Sequence, residues 1–480
     1  MTVAVDAVET YVRDLELRIP FSFGVTTLTA VPHGVVRLEA TVDGASSVGV
    51  AAENLVPKWF TKDPDTPVEE DVTGLLEVVE RAASAVRAAG TEPTAFDLWR
   101  RTYARQREWA AGTDHPPLLW GFGVSLVERA VVDAVCRATG TPFHEAVRDG
   151  TLGVDPGAVH GELAGADPTA LLPDAPRETV HVRHTVGYTD PLTRADADSV
   201  PADGLPRTLA EVVDAYGVRY FKLKLSGDVG ADADRLRRVV DVLDGRVRDP
   251  AFTLDANEQY GSVSALRELW EAVASDDALT DLEDGLLFVE QPFDREVALS
   301  ADVGEALRAW EAGPPVIIDE SDATLDSLPT ALERGYAGTS HKNCKGVFKG
   351  LCNACLLERR RRETGADPIL SGEDLSTVGP VSLQQDLAAM ATLGVGHVER
   401  NGHHYFRGLA ALPEAAREAT LAAHGDLYRR HEEGFPTLDV EEGRVALGSA
   451  LDAPFGVDES LPTDPETLGC VPLEEWSFEA

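Results

Sequence analysis

The chain has 480 residues, 43% of them hydrophobic, and carries 82 Asp and Glu against 43 Lys and Arg, a formal net charge of −39. That length suits two or three domains, or one large barrel with a smaller domain, and the apolar share is enough for a sizeable core, so the charge does not signal disorder. An acid excess spread along the whole chain repels phosphate backbones and anionic lipid, which argues against nucleic-acid or membrane partners and suits a halophilic protein kept soluble in concentrated salt.

The first residues show no basic segment followed by an apolar stretch, and no run of about 18 apolar residues occurs anywhere, so a cytoplasmic protein is expected. Residues 1–150 read as an α+β domain. Leu15–Arg18, Gly34–Val42 and Ser47–Ala51 are expected as antiparallel strands, and Val72–Ala89 and Val124–Thr139 as helices. Stretches 150–178 and 188–210, rich in Pro, Gly, Asp and Ala, read as loops.

Between about residues 180 and 400, short β-rich runs alternate with amphipathic helical stretches. The runs are Thr179–Val186, Tyr220–Leu225, Phe252–Asp255, Leu286–Glu290, Val316–Asp319, Gly338–Lys342, Ile369–Ser371 and Gly396–Glu399. Eight strands with helical crossovers describe a (β/α)8 TIM-type barrel over residues 175–410. An open doubly wound sheet is the competitor, and the absence of GxGxxG after the first strand weakens its dinucleotide-binding version. The segment 411–480, with Pro436, Pro454, Pro462 and Pro465, reads as irregular chain returning to the first domain.

Five cysteines, an odd number, point to a reducing compartment, and the Cys352/Cys355 pair lies inside a helical pattern with no second pair to complete a zinc site. The lysines say more. There are only seven, and five of them, Lys222, Lys224, Lys342, Lys345 and Lys349, fall within 128 residues around strand-like segments. A desolvated lysine can give up its proton at useful pH and an arginine cannot, so a proton-transfer site would retain lysine.

In a barrel the site lies at the C-terminal ends of the strands. Those ends carry Lys222 and Lys224, two apart and so on one strand face, then Asp255, Glu290, Asp319 and Lys342, separated by 33, 35, 29 and 23 residues from Lys222 onward. Three acids at one barrel mouth repel one another unless a cation binds between them, and oxygen-only ligation suits Mg2+. Such a cation can hold a substrate carboxylate and stabilise a developing enolate while lysines on either side move the α proton.

The ordered series Lys-x-Lys, Asp-Ala-Asn, Glu-Gln-Pro, Asp-Glu-Ser and Lys-x-x-Lys resembles the enolase superfamily, in its muconate-lactonizing and dipeptide-epimerase branch. Ile19–Gly24 is similar to the mobile loop of that family's capping domain, and Val124–Thr139 to the helix before its barrel. The resemblance implies Asp255, Glu290 and Asp319 as Mg2+ ligands, Lys224 and Lys342 as the two bases, and Lys222 holding the substrate carboxylate and depressing the Lys224 pKa. Asn257, Gln291, Glu320 and Lys345 would orient the ligands from one layer out. Strand seven offers Ser371-Gly372-Glu373-Asp374 with no His, which argues against a dehydratase of the mandelate racemase type. Strand eight offers Glu399-Arg400-Asn401 where dipeptide epimerases have Asp-x-Asp, which argues against dipeptide specificity. Glu373 and Glu399 read equally well as solvated loop acids, His403 and His404 as exposed loop histidines, and Lys349 as a cap of the following helix.

The expected activity is Mg2+-dependent removal of the proton alpha to a carboxylate, as a racemase or epimerase acting on a small-molecule carboxylate. Cycloisomerisation, syn-dehydration and a non-catalytic metabolite-binding barrel are the alternatives, and a homo-oligomer is expected.

Overall fold

The computed structural model describes residues 1–23, 26–197, 201–462 and 464–478. An antiparallel sheet is built from β1 (Val3–Phe23), β2 (Thr26–Val42) and β3 (Ala45–Asn54). β1 runs for 21 residues, far beyond the expected Leu15–Arg18. Its pairing with β2 shifts between Val5 and Ala7 and again between Glu16 and Phe21. The buried positions run 3, 5, then 10, 12, 13, 15 and 19, so no single period of two marks the strand in sequence.

Three helices cover this sheet: α1 (Val68–Ala89), α2 (Ala95–Ala110) and α3 (Pro117–Thr139). α2 was not among the expected elements, although Thr94 caps it by accepting from the Asp97 N–H at 3.0 Å. α3 lies close against β3 at Gly49, where a Cβ would meet the Ala130 carbonyl oxygen at 2.0 Å.

After the short helix α4 (Phe143–Arg148), the stretch 150–178 consists of loop and 3-10 turns, as expected. The barrel then follows with β4 (Thr179–Val186), β5 (Tyr220–Lys224), β6 (Ala251–Asp255), β7 (Leu286–Glu290), β8 (Val316–Ile318), β9 (Gly338–His341), β10 (Ile369–Gly372) and β11 (His397–Glu399). All eight are parallel neighbours in chain order, and β11 pairs back on β4 through His397–His181, Val398–Val182 and Glu399–Arg183, which closes the ring. The expected (β/α)8 barrel with an additional N-terminal antiparallel sheet is the observed architecture.

Several helices between the strands start where a side chain satisfies free N–H groups. Thr208 and Glu211 form a capping box on α5 (Leu209–Tyr216), and Asp228 and Ser262 cap α6 (Val229–Leu243) and α7 (Val263–Ala274). Further along come α8 (Thr280–Gly285), α9 (Ala301–Ala309), α10 (Ser327–Arg334), α11 (Val347–Thr364) and α12 (Ser382–Thr392). Beyond the barrel, β12 (Tyr428–Arg430) pairs with β13 (Pro436–Leu438), β14 (Arg444–Ala446) adds antiparallel to the start of β4, and β15 (Val471–Pro472) adds to β1 at Tyr11 and Val12. Among the described residues no helix is long and apolar enough to cross a membrane.

The N-terminal sheet and helices are tied over the barrel mouth by polar contacts. Arg18 of β1 binds Asp203 at 2.6 Å and donates to the His404 carbonyl at 2.8 Å, and Gln385 of α12 donates to the Val50 carbonyl at 2.7 Å. Glu128 of α3 accepts from the Val347 and Phe348 N–H groups at the start of α11.

Candidate active site

The expected site residues converge at the C-terminal mouth of the barrel, and all of them are buried. Lys222 is 1% exposed and lies 2.9 Å from Asp255, 2.9 Å from Glu290, 2.5 Å from Glu373 and 2.9 Å from Glu399. Lys224 donates to Asp255 Oδ2 and Asn257 Oδ1, both at 2.6 Å. Across the mouth, Lys342 binds Asp319, lies 3.4 Å from Glu373, and faces the Trp59 ring at 4.7 Å from its centroid. β5 and β9 are the second and sixth strands of a closed ring of eight, so Lys224 and Lys342 reach the centre from opposite walls.

The residues expected one layer out hold the strand ends in place. Gln291 Oε1 accepts from the backbone N–H groups of Asp319 (2.8 Å) and Ser321 (3.1 Å), while its Nε2 donates to Phe293 O and Ser321 Oγ. Lys345 donates to Asp319 Oδ1 at 2.9 Å and to the Ser340 carbonyl at 2.6 Å. Asn257 donates to Glu320 Oε1 at 3.1 Å while its Oδ1 receives Lys224. The backbone is left-handed at Asn257 (φ 38°), Glu258 (φ 66°) and Gln291 (φ 36°). Non-glycine residues adopt that conformation at a cost, and here it turns the chain sharply after β6 and β7.

The carboxylates present a cation-shaped demand. Glu290 is fully buried, and its carboxylate faces the Lys222 ammonium at 2.9 Å, which it shares with Asp255, Glu373 and Glu399. Burial, then the charges of Glu373, Asp255 and Asp319, push its pKa well above the ordinary carboxylate range despite Lys222. Glu290, Asp319 and Glu373 each place an oxygen within 4.8 Å of the others, a hard-oxygen donor set that fits a divalent cation. Asp255, expected in this trio, is instead drawn toward Lys222 and Lys224 from the adjacent strand end.

Several expectations require correction. Glu373 is no solvated loop acid: it is fully buried, with Oε1 accepting from Arg183 at 2.6 Å and from Ser371 at 3.0 Å. Glu399 is 5% exposed and accepts from Thr185 at 2.5 Å and Asn401 at 2.8 Å. His403 and His404 are buried too, packed edge-on against Tyr216 and His184, and neither lines the pocket described below. Lys349 is buried and bound to Asp322 at 2.9 Å. Burial pulls Lys222 and Lys342 down, but Asp255, Glu290, Glu373 and Glu399 around the first, and Asp319 and Glu373 beside the second, hold both well above the usual lysine value.

A pocket of ≈ 560 Å³, counting its open mouth, lies between the N-terminal sheet and the barrel. Its floor is Lys222, Lys224, Asn257, Lys342 and Glu399, and its roof includes Phe21, Leu28, Val56 and Trp59. Of the expected mobile loop Ile19–Gly24, Gly24 lies outside the described residues. Trp59 and Arg183 were not singled out in sequence: Trp59 sits in a loop without periodicity, and Arg183 lies mid-strand, its partners 188 to 214 residues away.

Residues 205–344 match the family model described as Enolase C-terminal domain-like. No curated protein matches the chain. Among solved structures, a dipeptide epimerase from Enterococcus faecalis V583, complexed with Mg and L-Leu-L-Tyr, is 14% identical with a TM-score of 0.58, covering 95% of this chain and 100% of that one. An enolase from Bradyrhizobium complexed with magnesium and mandelic acid is 16% identical with a TM-score of 0.56, over 93% and 94%. An N-succinyl Arg/Lys racemase from Bacillus cereus ATCC 14579 is 14% identical with a TM-score of 0.57, over 94% and 97%. The family match within the barrel, and a fold shared with dipeptide epimerase and mandelate racemase/muconate lactonizing enzyme structures, bear out the resemblance of the strand-end series to the enolase superfamily.

Proposed function

We propose that the protein is a Mg2+-dependent racemase or epimerase that moves the proton alpha to a substrate carboxylate. The observation that carries this reading is the placement of Lys224 and Lys342 on opposite walls of one pocket, with the buried acids Glu290, Asp319 and Glu373 gathered at the same barrel mouth. Asp255, Glu290 and Asp319 would hold the cation, with the Glu373 carboxylate, which lies closer to Glu290 and Asp319 in the acidic cluster, beside them. When bound, Mg2+ supplies positive charge that takes up the repulsion among these acids and stabilises negative charge on the substrate carboxylate.

Lys222, at the centre of the acids, pairs with a substrate carboxylate oxygen. One of Lys224 and Lys342 takes the α proton from its face of the substrate, and the other delivers a proton to the opposite face, which inverts the carbon. A 1,1-proton transfer needs one acid or base on each side, and the second and sixth strands of a ring of eight supply them. Gln291 and Lys345 keep Asp319 in position, and the roof of the pocket limits water at the reacting carbon.

The test is α-proton exchange in D2O followed by 1H NMR across a set of chiral carboxylates with Mg2+ present. Exchange is expected with the wild type, and Lys224→Ala and Lys342→Ala should each abolish inversion. Retention of full activity by both variants would sink the proposal.

A further inference from the structure

We infer that the site takes a monocarboxylate whose distal part is apolar, rather than a sugar acid, a dicarboxylate or a dipeptide. This rests on the reading of the floor as a carboxylate site and adds the identity of the other end of the substrate. Above the lysines, the wall is built from Leu17, Phe21, Leu28, Val56, Leu375 and Phe406, contributed by the N-terminal sheet, the loop after β3 and the loops after β10 and β11.

The polar groups within this wall are already committed. Asn54 donates to the Leu375 and Ser376 carbonyls at 3.2 and 3.1 Å and bonds His33 at 2.8 Å through its oxygen. Asp374 accepts from Arg400 at 2.7 Å and from the Ser376 and Thr377 N–H groups, so its charge is spent inside the loop. Ser376 adds a single hydroxyl.

Arg18 and Lys58, next in the chain to Leu17 and Trp59, and Arg295, which bonds the Trp59 carbonyl, are paired elsewhere. Arg18 is taken by Asp203 and three backbone carbonyls, Lys58 by Asp71 at 2.8 Å, and Arg295 by Glu258 at 2.8 Å. Arg400, in the segment that follows β11, points into the buried pair Asp374 and Asp386. A second carboxylate or a chain of hydroxyls entering this wall would lose water without gaining partners, whereas an aryl or alkyl group gains from burial. An ammonium would find no uncommitted acid there among the described residues.

Calorimetric titration of the Mg2+-loaded protein with 2-phenylpropionate, 2-methylsuccinate, gluconate and L-Ala-L-Ala tests this. 2-Phenylpropionate is expected to bind at least about tenfold more tightly than each of the others, and Leu28→Asn or, should that variant fold poorly, Leu375→Asn should remove the preference. Equal or tighter binding of any polar probe, or binding of none of the four, overturns the inference. α-Proton exchange followed in the same samples keeps the two readings apart. A preference without exchange refutes proton transfer and leaves the substrate class standing, while exchange that favours a polar probe does the reverse.

Discussion

Trp59 lays its ring 4.7 Å from the Lys342 ammonium, joining the N-terminal domain to the barrel at the lysine proposed as one of the two bases. The contact is held from behind. Arg295, in the loop after β7, donates to the Trp59 and Phe60 carbonyls at 3.0 and 2.9 Å while Glu258, after β6, grips the same guanidinium at 2.8 Å. Trp59 is thus fixed to the barrel by two of its loops, and its ring offers a positively charged lysine an electron-rich face.

Trp59→Leu is expected to lower kcat for α-proton exchange by about tenfold, in line with the loss of one desolvated cation–π contact of roughly 1–2 kcal/mol. Trp59→Phe should recover much of the loss. Thermal unfolding run alongside separates this from general destabilisation; equal kcat in Trp59→Leu and wild type would show that the ring does not act on Lys342.

Metal binding should follow the strand ends. Titration of the metal-free protein with Mg2+ is expected to show that Glu290→Gln and Asp319→Asn lose more than the roughly 10–100-fold typical of removing a group that only orients a ligand, with Gln291→Ala inside that range. Asp255→Asn and Glu373→Gln decide the third donor. A larger loss in Asp255→Asn supports the ligand set proposed above, and a larger loss in Glu373→Gln assigns that place to strand seven.

The barrel was legible because its strands are buried on both faces and so read as apolar runs, most of them carrying an ionisable residue at or next to the end that faces the mouth. Those closing residues gave Lys222, Lys224, Asp255, Glu290, Asp319 and Lys342 directly. Glu373 closes the seventh run in the same way, but its partners Arg183 and Lys222 lie 190 and 151 residues away, so nothing local distinguished it from a solvated acid. β1 was read only in part because its register shifts break the alternation, and α2 because its long polar face hides the short buried stripe of Phe96, Trp99 and Thr102. Trp59 acts through a loop whose placement depends on Arg295, a relationship that exists only in the folded chain.

Glu373→Gln should destabilise the metal-free protein by on the order of 3 kcal/mol, because a buried carboxylate facing Arg183, Lys222 and Lys342 leaves three cations short of charge when neutralised. Glu399→Gln, which removes charge beside Lys222 alone, should cost less. Urea unfolding of both variants checks the order, and a reversed order would mean that Glu373 is held for metal or substrate and not for the barrel.

Glu128 supplies a pH test away from the site. Its carboxylate accepts from the Val347 and Phe348 N–H groups, yet burial outweighs them and, even with Arg129 and Lys349 near, raises its pKa from 4.5 to about 8. Below pH 4.5 the group is neutral whether the chain is folded or not. Between 4.5 and about 8 the unfolded chain releases this proton and the folded chain keeps it, so the unfolded state binds fewer protons and stability falls as pH rises. Above that window the slope ends. Glu128→Gln lacks the titration and should therefore gain on the wild type from pH 5 to pH 8, with the difference in Tm moving by a few degrees. A difference that stays flat across that range would mean that the two α11 amides, with Arg129 and Lys349, keep Glu128 ionised in the folded protein.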